Sequence, residues 1–164
     1  MELVSVEPLV LDLARALRAA GLRMASAESC TGGLIAAACT AVAGSSDWFE
    51  RGFVTYSNAA KVELLGVDEA LLQAHGAVSE PVARAMALGA LRRAPVQRAV
   101  AVTGIAGPGG AVPGKPVGTV WLALARRDGD VASVETRLLQ LAGDRAAVRQ
   151  ATVVAALQAL RASA

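Results

Sequence analysis

The feature that most constrains the fold is the alternation of helix-like and strand-like segments along the 164 residues. Residues 8–20 carry apolar side chains at helical spacing, with Pro8 in the first turn and Gly21 at the end. Residues 22–27 form a short continuous apolar run, which is typical of a buried strand. This alternation continues to the C terminus and predicts a sheet covered by helices.

The same reasoning places the other elements. Further helices are predicted at 32–42, 58–65, 68–75, 80–93 and 143–162, and further strands at 48–56, 98–102, 118–127 and 131–139. Ser79 is the predicted N-cap of the fifth helix, and Asp128-Gly129 predicts a tight turn between the last two strands. Because this single hairpin falls late, we expect an α/β fold, a three-layer α/β/α sandwich with a mixed, mostly parallel sheet of about five strands. The chain is predicted to be one domain over residues 1–164.

Composition excludes several classes of protein. Hydrophobic residues make up 54% of the chain, which excludes a disordered protein, although 37 residues are alanine. Cys30 and Cys39 are the only cysteines, too few for a disulfide scaffold, and with one histidine they make a structural zinc site implausible. The net charge of +2, without a basic cluster, argues against nucleic-acid binding.

The sequence also bears on location. The longest charge-free run, residues 29–46, contains three glycines and several hydroxyl residues, so it is a poor membrane span. The first ten residues include Glu2 and Glu7 and no basic region, so no signal peptide is predicted. Unpaired cysteines suit a reducing compartment, and we expect a cytoplasmic protein without membrane contact.

Residues 27–33 join a predicted strand to a predicted helix, where backbone N–H groups favour negative charge. Ser29 is either the N-cap of this helix or a nucleophile, with the N–H groups of the following turn forming an oxyanion hole. Gly32 and Gly33 each cost roughly 1 kcal/mol inside a helix, which suggests a close approach to the backbone. Cys30 is either a rival nucleophile or a small buried residue.

Lysine is rare in this chain, with Lys61 and Lys115 set against 14 arginines. Lysine differs from arginine in that it can lose its proton near neutral pH. Lys61 lies one turn inside the predicted helix that follows Tyr56-Ser57-Asn58, with Asn58 as a candidate cap. It is either a solvated surface residue or a general base, which requires burial or a nearby cation to bring its pKa to roughly 7–8.

Residues 103–118 form a glycine-rich segment after a strand, with six of the 16 glycines and three of the six prolines. The spacing matches neither a Walker loop nor the dinucleotide-binding fingerprint. The segment is either a bare backbone that wraps a phosphate or ribose, or a flexible connection between strands.

Charged residues elsewhere leave two further possibilities. Asp144 is a predicted N-cap, and Arg145 and Arg149 share one face of the helix that follows, either for an anion or as a surface pair. His75 with Asp68 is a candidate for a Ser-His-Asp triad, but no Gly-x-Ser-x-Gly elbow is present, and a capping role for His75 is the alternative.

Several motifs taken together resemble the CinA carboxy-terminal domain family, whose enzymatic members are nicotinamide-nucleotide amidases. They occur in order over nearly the whole chain, at residues 28–33, 44–46, 56–61, 76–80, 103–110 and 115–118. Larger members of the family carry an additional amino-terminal domain, and this chain looks like the standalone form.

The resemblance implies hydrolysis of nicotinamide mononucleotide to nicotinate mononucleotide and ammonia, in pyridine nucleotide salvage and NAD metabolism. It implies a serine–lysine dyad of Ser29 and Lys61, an acyl-enzyme, and no metal or other cofactor. Tyr56, Thr103 and Arg145 fall where family members have site residues. We expect the substrate to contact these three residues and the two backbone segments beside them, at Cys30, Thr31, Gly32, Gly33, Gly104 and Gly107.

The expected ligand is a small nucleotide, and we expect a homo-oligomer that binds no nucleic acid. The alternative function is a non-catalytic nucleotide-binding or assembly module of the same fold. A nucleic-acid accessory role finds no support in the charge or the aromatic content.

Overall fold

The computed structural model describes residues 6–164, which form one five-stranded sheet with the strand order β2-β1-β3-β4-β5. The strands are β1 (Met24–Glu28), β2 (Phe49–Val54), β3 (Arg98–Gly104), β4 (Thr119–Asp128) and β5 (Val131–Gln140). Strand β1 pairs in parallel with β2 and β3, whereas β4 is antiparallel to β3 and β5. Four of the five strands therefore run in the same direction, as the sequence predicts.

Helices cover both faces of the sheet. They are α1 (Glu7–Ala20), α2 (Leu34–Thr40), α3 (Asn58–Leu65), α4 (Glu69–His75), α5 (Glu80–Arg93) and α6 (Arg145–Ala162), with a short 3₁₀ turn at Ser45–Asp47. Helices α1, α2 and α6 pack in the core of one face, and α3, α4 and α5 in that of the other. This confirms the three-layer α/β/α fold. None of the helices between residues 6 and 164 is long and apolar enough to cross a membrane.

The two faces of the sheet differ in side-chain size because residues along a strand alternate between faces. The face beneath α5 is lined by buried alanines at 25, 27, 99, 101, 123 and 125. The opposite face carries larger residues, namely Met24, Val100, Val102, Leu122 and Leu124. The abundant alanine therefore gives α5 a smooth surface, on which it contacts β1, β3, β4 and β5.

The start of α2 differs from the prediction. The helix begins at Leu34 rather than at residue 32, and Gly32 and Gly33 precede it with φ values of +60° and +99°. An added Cβ at either glycine would meet only side-chain atoms at 3.5 Å or more. The backbone conformation, which side chains disfavour, thus explains the two glycines better than a close approach does.

The caps of two other helices also differ in detail. Ser57, rather than Asn58, caps α3, because its hydroxyl accepts a hydrogen bond from the N–H of Ala60. Ser79 occupies the N-cap position of α5, but its hydroxyl donates to the carbonyl of Gly76. For α3, the residue before the predicted cap forms the capping hydrogen bond. For α5, the predicted capping side chain forms a hydrogen bond to the preceding loop instead.

The topology brings three connecting segments to one edge of the sheet. Parallel strands β1, β2 and β3 all end at this edge, and they are followed by residues 29–33, 55–57 and 105–118. The carboxyl edge of parallel strands is where α/β folds place their ligands. These segments contain most of the candidate residues identified from the sequence.

Helix α3 rests directly on α5 at Gly89. A Cβ added to Gly89 would lie 2.2 Å from the carbonyl oxygen of Leu65, the last residue of α3. Glycine is therefore required for the close approach of the two helices.

We expect Gly89→Ala to lower the free energy of unfolding by about 1–3 kcal/mol, because the methyl group meets a backbone atom that cannot rotate away. Alanine is ordinarily favoured over glycine in a helix by about 1 kcal/mol, so the expected sign is opposite to that of intrinsic propensity. Urea unfolding measures the difference. Gly109→Ala is the control, since an added Cβ there meets nothing within 4 Å. Equal stability of the Gly89 variant and the wild type would contradict the close packing.

Candidate active site

Ser29 and Lys61, 32 residues apart in sequence, are in direct contact. The Lys61 amine lies 3.1 Å from the Ser29 hydroxyl oxygen. Ser29 follows the end of β1, and Lys61 lies in the first turn of α3, which starts shortly after the end of β2. Because β1 and β2 are parallel neighbours, both residues reach the same edge of the sheet. The contact expected from the sequence is present.

The environment of Lys61 is unusual for a lysine. Its side chain is 1% exposed, and the amine also contacts the carbonyl oxygens of Thr55 at 2.9 Å and Tyr56 at 3.4 Å. No carboxylate between residues 6 and 164 forms an ion pair with it. Burial therefore lowers the pKa of Lys61 below its usual value. This favours the neutral amine, the form that accepts a proton.

A buried carboxylate supports the turn that carries Ser29. Glu28 accepts hydrogen bonds from the Thr31 hydroxyl at 2.7 Å and from the backbone N–H groups of Ile35 and Ala36 at 2.8 and 3.0 Å. A fourth contact comes from the Ser26 hydroxyl at 3.3 Å. The chain's own carboxylate thus fills the start of α2, so a ligand's anionic group has to bind elsewhere.

The backbone of the Ser29 turn leaves two N–H groups free. The Ser29 N–H donates to Val102 of β3, and the Gly32 N–H donates to the Ser29 carbonyl. Within the described chain, no other residue accepts a hydrogen bond from the N–H of Cys30 or Thr31. These two groups, directly after the serine, are the available donors for a developing negative charge.

A cavity of about 190 Å³ opens in front of the dyad. It is lined by Ser29, Cys30, Tyr56, Asn58, Lys61, Ala77, Val78, Thr103, Gly104, Ala106 and Arg145. A neighbouring cavity of about 520 Å³ shares Ala106 and Arg145 with it. Arg145 therefore lies where the two cavities meet.

Arg145 bridges two sides of the cavity. Its guanidinium donates to the Gly107 carbonyl at 2.9 Å and to the Tyr56 hydroxyl at 3.1 Å. Thr103 has a supporting contact, because its hydroxyl donates to the Ala77 carbonyl at 2.9 Å and holds the segment before α5 against β3. Lys61 and Arg145 are the two basic residues that line this cavity within the described chain.

Not every candidate residue lines the cavity. Thr31 lies outside the lining but donates its hydroxyl to Glu28, and Gly107 accepts a hydrogen bond from Arg145. Gly32 and Gly33 form the turn after Ser29 with positive φ. His75 lies outside it, where its carbonyl accepts a hydrogen bond from Lys115, and Asp68 caps α4. The structure therefore does not bring together a Ser-His-Asp triad.

Cys30 lies beside Ser29 but is poorly suited to be the nucleophile. Burial raises the pKa of its thiol to about 11, so the thiolate is scarce at neutral pH. Within residues 6–164, no three His, Cys, Asp or Glu side chains are grouped so as to hold a metal ion.

Four lining residues were not proposed as site residues from the sequence, namely Asn58, Ala77, Val78 and Ala106. All four fall inside the motifs that carry the family resemblance. The motif positions were the available signal, but the three small apolar side chains suggested no chemistry by themselves, and Asn58 was interpreted as a helix cap.

The fold and the site define an α/β/α domain with a buried serine–lysine pair in a small-molecule cavity. The chain belongs to the CinA family, since the model of the CinA C-terminal domain matches residues 6–164. This confirms the resemblance inferred from the motifs.

Similar proteins include two curated relatives and a solved structure. The chain is 56% identical over 150 residues to nicotinamide-nucleotide amidohydrolase PncC from Enterobacter agglomerans, covering 92% of this chain and 90% of the relative. The protein of the same name from Escherichia coli K12 is 53% identical over 149 residues, with coverage of 91% and 88%. The crystal structure of competence/damage inducible protein CihA from Agrobacterium tumefaciens has a TM-score of 0.91 and 47% identity, with coverage of 96% and 94%.

The burial of Lys61 predicts a specific pH dependence of stability. The pKa of Lys61 in the folded chain is lowered from 10.5, so the unfolded chain binds this proton more tightly. The free energy of unfolding of the wild type therefore increases as the pH rises from the folded pKa to about 10.5. Lys61→Met lacks this contribution. We therefore expect the stability of the variant relative to the wild type to be greatest near pH 7 and to fall toward pH 10.

Urea unfolding of both proteins at pH 7, 8.5 and 10 measures this difference, and the contributions of all other groups cancel. A difference that stays constant with pH would show that Lys61 titrates alike in the folded and unfolded chain.

Proposed function

We propose that this chain is a nicotinamide-nucleotide amidohydrolase, which converts nicotinamide mononucleotide and water into nicotinate mononucleotide and ammonia. Two relatives with more than 50% identity over about nine-tenths of the chain bear this name. The observation that carries the proposal is the 3.1 Å contact between the Ser29 hydroxyl and a buried Lys61 amine whose pKa is lowered. A nucleophile beside a base is the arrangement that acyl transfer requires.

In the first half of the reaction, the Ser29 oxygen attacks the carboxamide carbon while its proton passes to the neutral Lys61 amine. The amide oxygen becomes an oxyanion, which the free N–H groups of Cys30 and Thr31 stabilise. The Lys61 ammonium then returns the proton to the departing nitrogen, so ammonia leaves and an ester on Ser29 remains.

In the second half, water attacks the ester and Lys61 again accepts a proton. The same N–H groups stabilise the second oxyanion, and collapse of this intermediate breaks the bond to Ser29. The serine regains its proton from Lys61, and nicotinate mononucleotide is released. Atoms and charge balance without a further reactant.

Arg145 is the proposed contact for the substrate phosphate. The start of α2 is filled by Glu28, and Lys61 is buried behind Ser29, so Arg145 is the accessible cation of the cavity. A guanidinium has five N–H donors, and the Gly107 and Tyr56 contacts leave donors free. A phosphate also suits Arg145 because this cation lies at the positive end of α6.

The dyad predicts that Lys61→Arg is nearly as damaging as Ser29→Ala. Arginine keeps the positive charge but does not release its proton, so it cannot act as the base. We expect both variants to lose activity by roughly 10³-fold or more, measured as ammonia release from nicotinamide mononucleotide.

Lys115→Arg is the matched control, since Lys115 donates to His75 outside the cavity, and we expect it to retain activity. Substantial activity in Lys61→Arg would reassign Lys61 from base to substrate binder. A wild-type protein that binds the nucleotide without releasing ammonia would identify a non-catalytic binding module instead.

The proposed phosphate contact predicts a substrate-dependent effect. Arg145→Ala should weaken binding of nicotinamide mononucleotide by about 1.5–3 kcal/mol, the range for a charged hydrogen bond. Nicotinamide riboside, which has no phosphate, should be a poor substrate already and should lose little further. Steady-state kinetics on both substrates tests this, and an equal proportional loss on both would place Arg145 at the amide or in the scaffold.

A further inference from the structure

Arg149 contacts the Ser29 turn from the far end of the chain. Its guanidinium donates to the carbonyl oxygen of Cys30 at 3.2 Å and to that of Thr31 at 3.0 Å. The contacts span 119 and 118 residues of sequence and connect the second turn of α6 to the turn that follows the serine. Arg149 does not line the dyad cavity.

The turn is held from two sides by opposite charges. Arg149 binds the carbonyls of Cys30 and Thr31, whereas Glu28 binds the Thr31 hydroxyl and the first N–H groups of α2. Hydrogen bonds to charged groups are stronger than neutral ones, so this arrangement restrains the turn more than its own backbone contacts do.

The contact from Arg149 also fixes the orientation of the Cys30–Thr31 peptide. In a trans peptide the C=O and N–H bonds point to opposite sides, so holding the Cys30 carbonyl also aims the Thr31 N–H away from Arg149. The guanidinium further polarises this peptide, which makes its N–H a better donor. That N–H is one of the two without an acceptor in the described part of the chain.

We propose that Arg149 is a positioning residue, which holds the Cys30–Thr31 peptide so that the N–H groups of the turn face the oxyanion. This inference rests on the proposed amidohydrolase function. Under this proposal, the two arginines on one face of α6 have different roles. Arg145 binds the substrate, and Arg149 binds the backbone beside the nucleophile. The planar guanidinium suits Arg149 because it reaches both carbonyls at once.

The kinetic test uses Arg149→Met and Arg149→Lys, with Arg92→Met as the matched control on the exposed last turn of α5. Losing a whole oxyanion donor costs about 10²–10³-fold in kcat, so misaiming one should cost roughly 10–100-fold. We expect this loss in Arg149→Met, with KM changed less than about two-fold, and a smaller loss in Arg149→Lys, whose single ammonium replaces part of the contact.

The pH profile separates this role from that of the base. Because the Lys61 contacts do not involve Arg149, the midpoints of the kcat profile should match those of the wild type in Arg149→Met. A rise in KM at constant kcat would overturn the proposal by making Arg149 a substrate ligand, as would wild-type kinetics in Arg149→Met.

Amide hydrogen exchange gives a readout independent of activity. In Arg149→Met, exchange should accelerate in a peptide covering residues 29–36 and remain unchanged in the β3 and β4 strands. Acceleration throughout the sheet would instead indicate a general scaffold role and overturn the proposal. If the wild-type protein releases no ammonia, the proposed function fails, and the exchange experiment still decides whether Arg149 holds the turn.

Discussion

The site depends on the burial of the Lys61 amine, which has no carboxylate partner among residues 6–164. A charged amine in this position loses its hydration and gains only neutral hydrogen-bond partners, so burial lowers the pKa of Lys61 below its usual value. Several features of the fold serve this placement. Ser57 starts α3, Gly66 ends it in a left-handed conformation, and Gly89 lets the helix settle on α5. The sheet then presents Ser29 to the same amine.

The turn after Ser29 also determines where an anion can bind. A helix that starts beside a reacting serine attracts any anion, including the substrate phosphate. Here Glu28 occupies the first N–H groups of α2, which directs the proposed phosphate contact to Arg145. The unpaired N–H groups of Cys30 and Thr31 remain for the oxyanion. The proposed reaction thus uses separate groups for the phosphate, the oxyanion and the proton.

Much of the fold was predictable because its signals are local. The bounds of α3 and α5 agree with the sequence-based prediction, and the glycines at 21 and 129 mark a helix end and the hairpin turn as expected. The contact between Ser29 and Lys61 was also predictable, since both follow strands that a parallel sheet brings together. The start of α2 was not, because helical propensity alone does not indicate that Gly32 and Gly33 adopt positive φ.

The supporting contacts of the site were beyond the reach of local sequence. From sequence, Glu28 is the first residue after a predicted strand, and only the fold shows that its carboxylate accepts hydrogen bonds from the first turn of α2. The contact from Arg149 to the turn joins segments more than 100 residues apart. Local sequence places Arg145 and Arg149 on one helix face, and the family resemblance singles out only Arg145. Their different partners become visible only in three dimensions.

The most direct test of this account is the titration of Lys61 itself. Because the chain contains only two lysines, protein labelled with ¹³C at the lysine side chains gives two sets of NMR signals, and Lys61→Met identifies the set that belongs to Lys61. We expect the Lys61 signal to titrate at clearly lower pH in the folded protein than in the same protein unfolded in urea. Titration of folded Lys61 at the same pH as in the unfolded chain, or higher, would contradict the claim that burial prepares this lysine to act as a base.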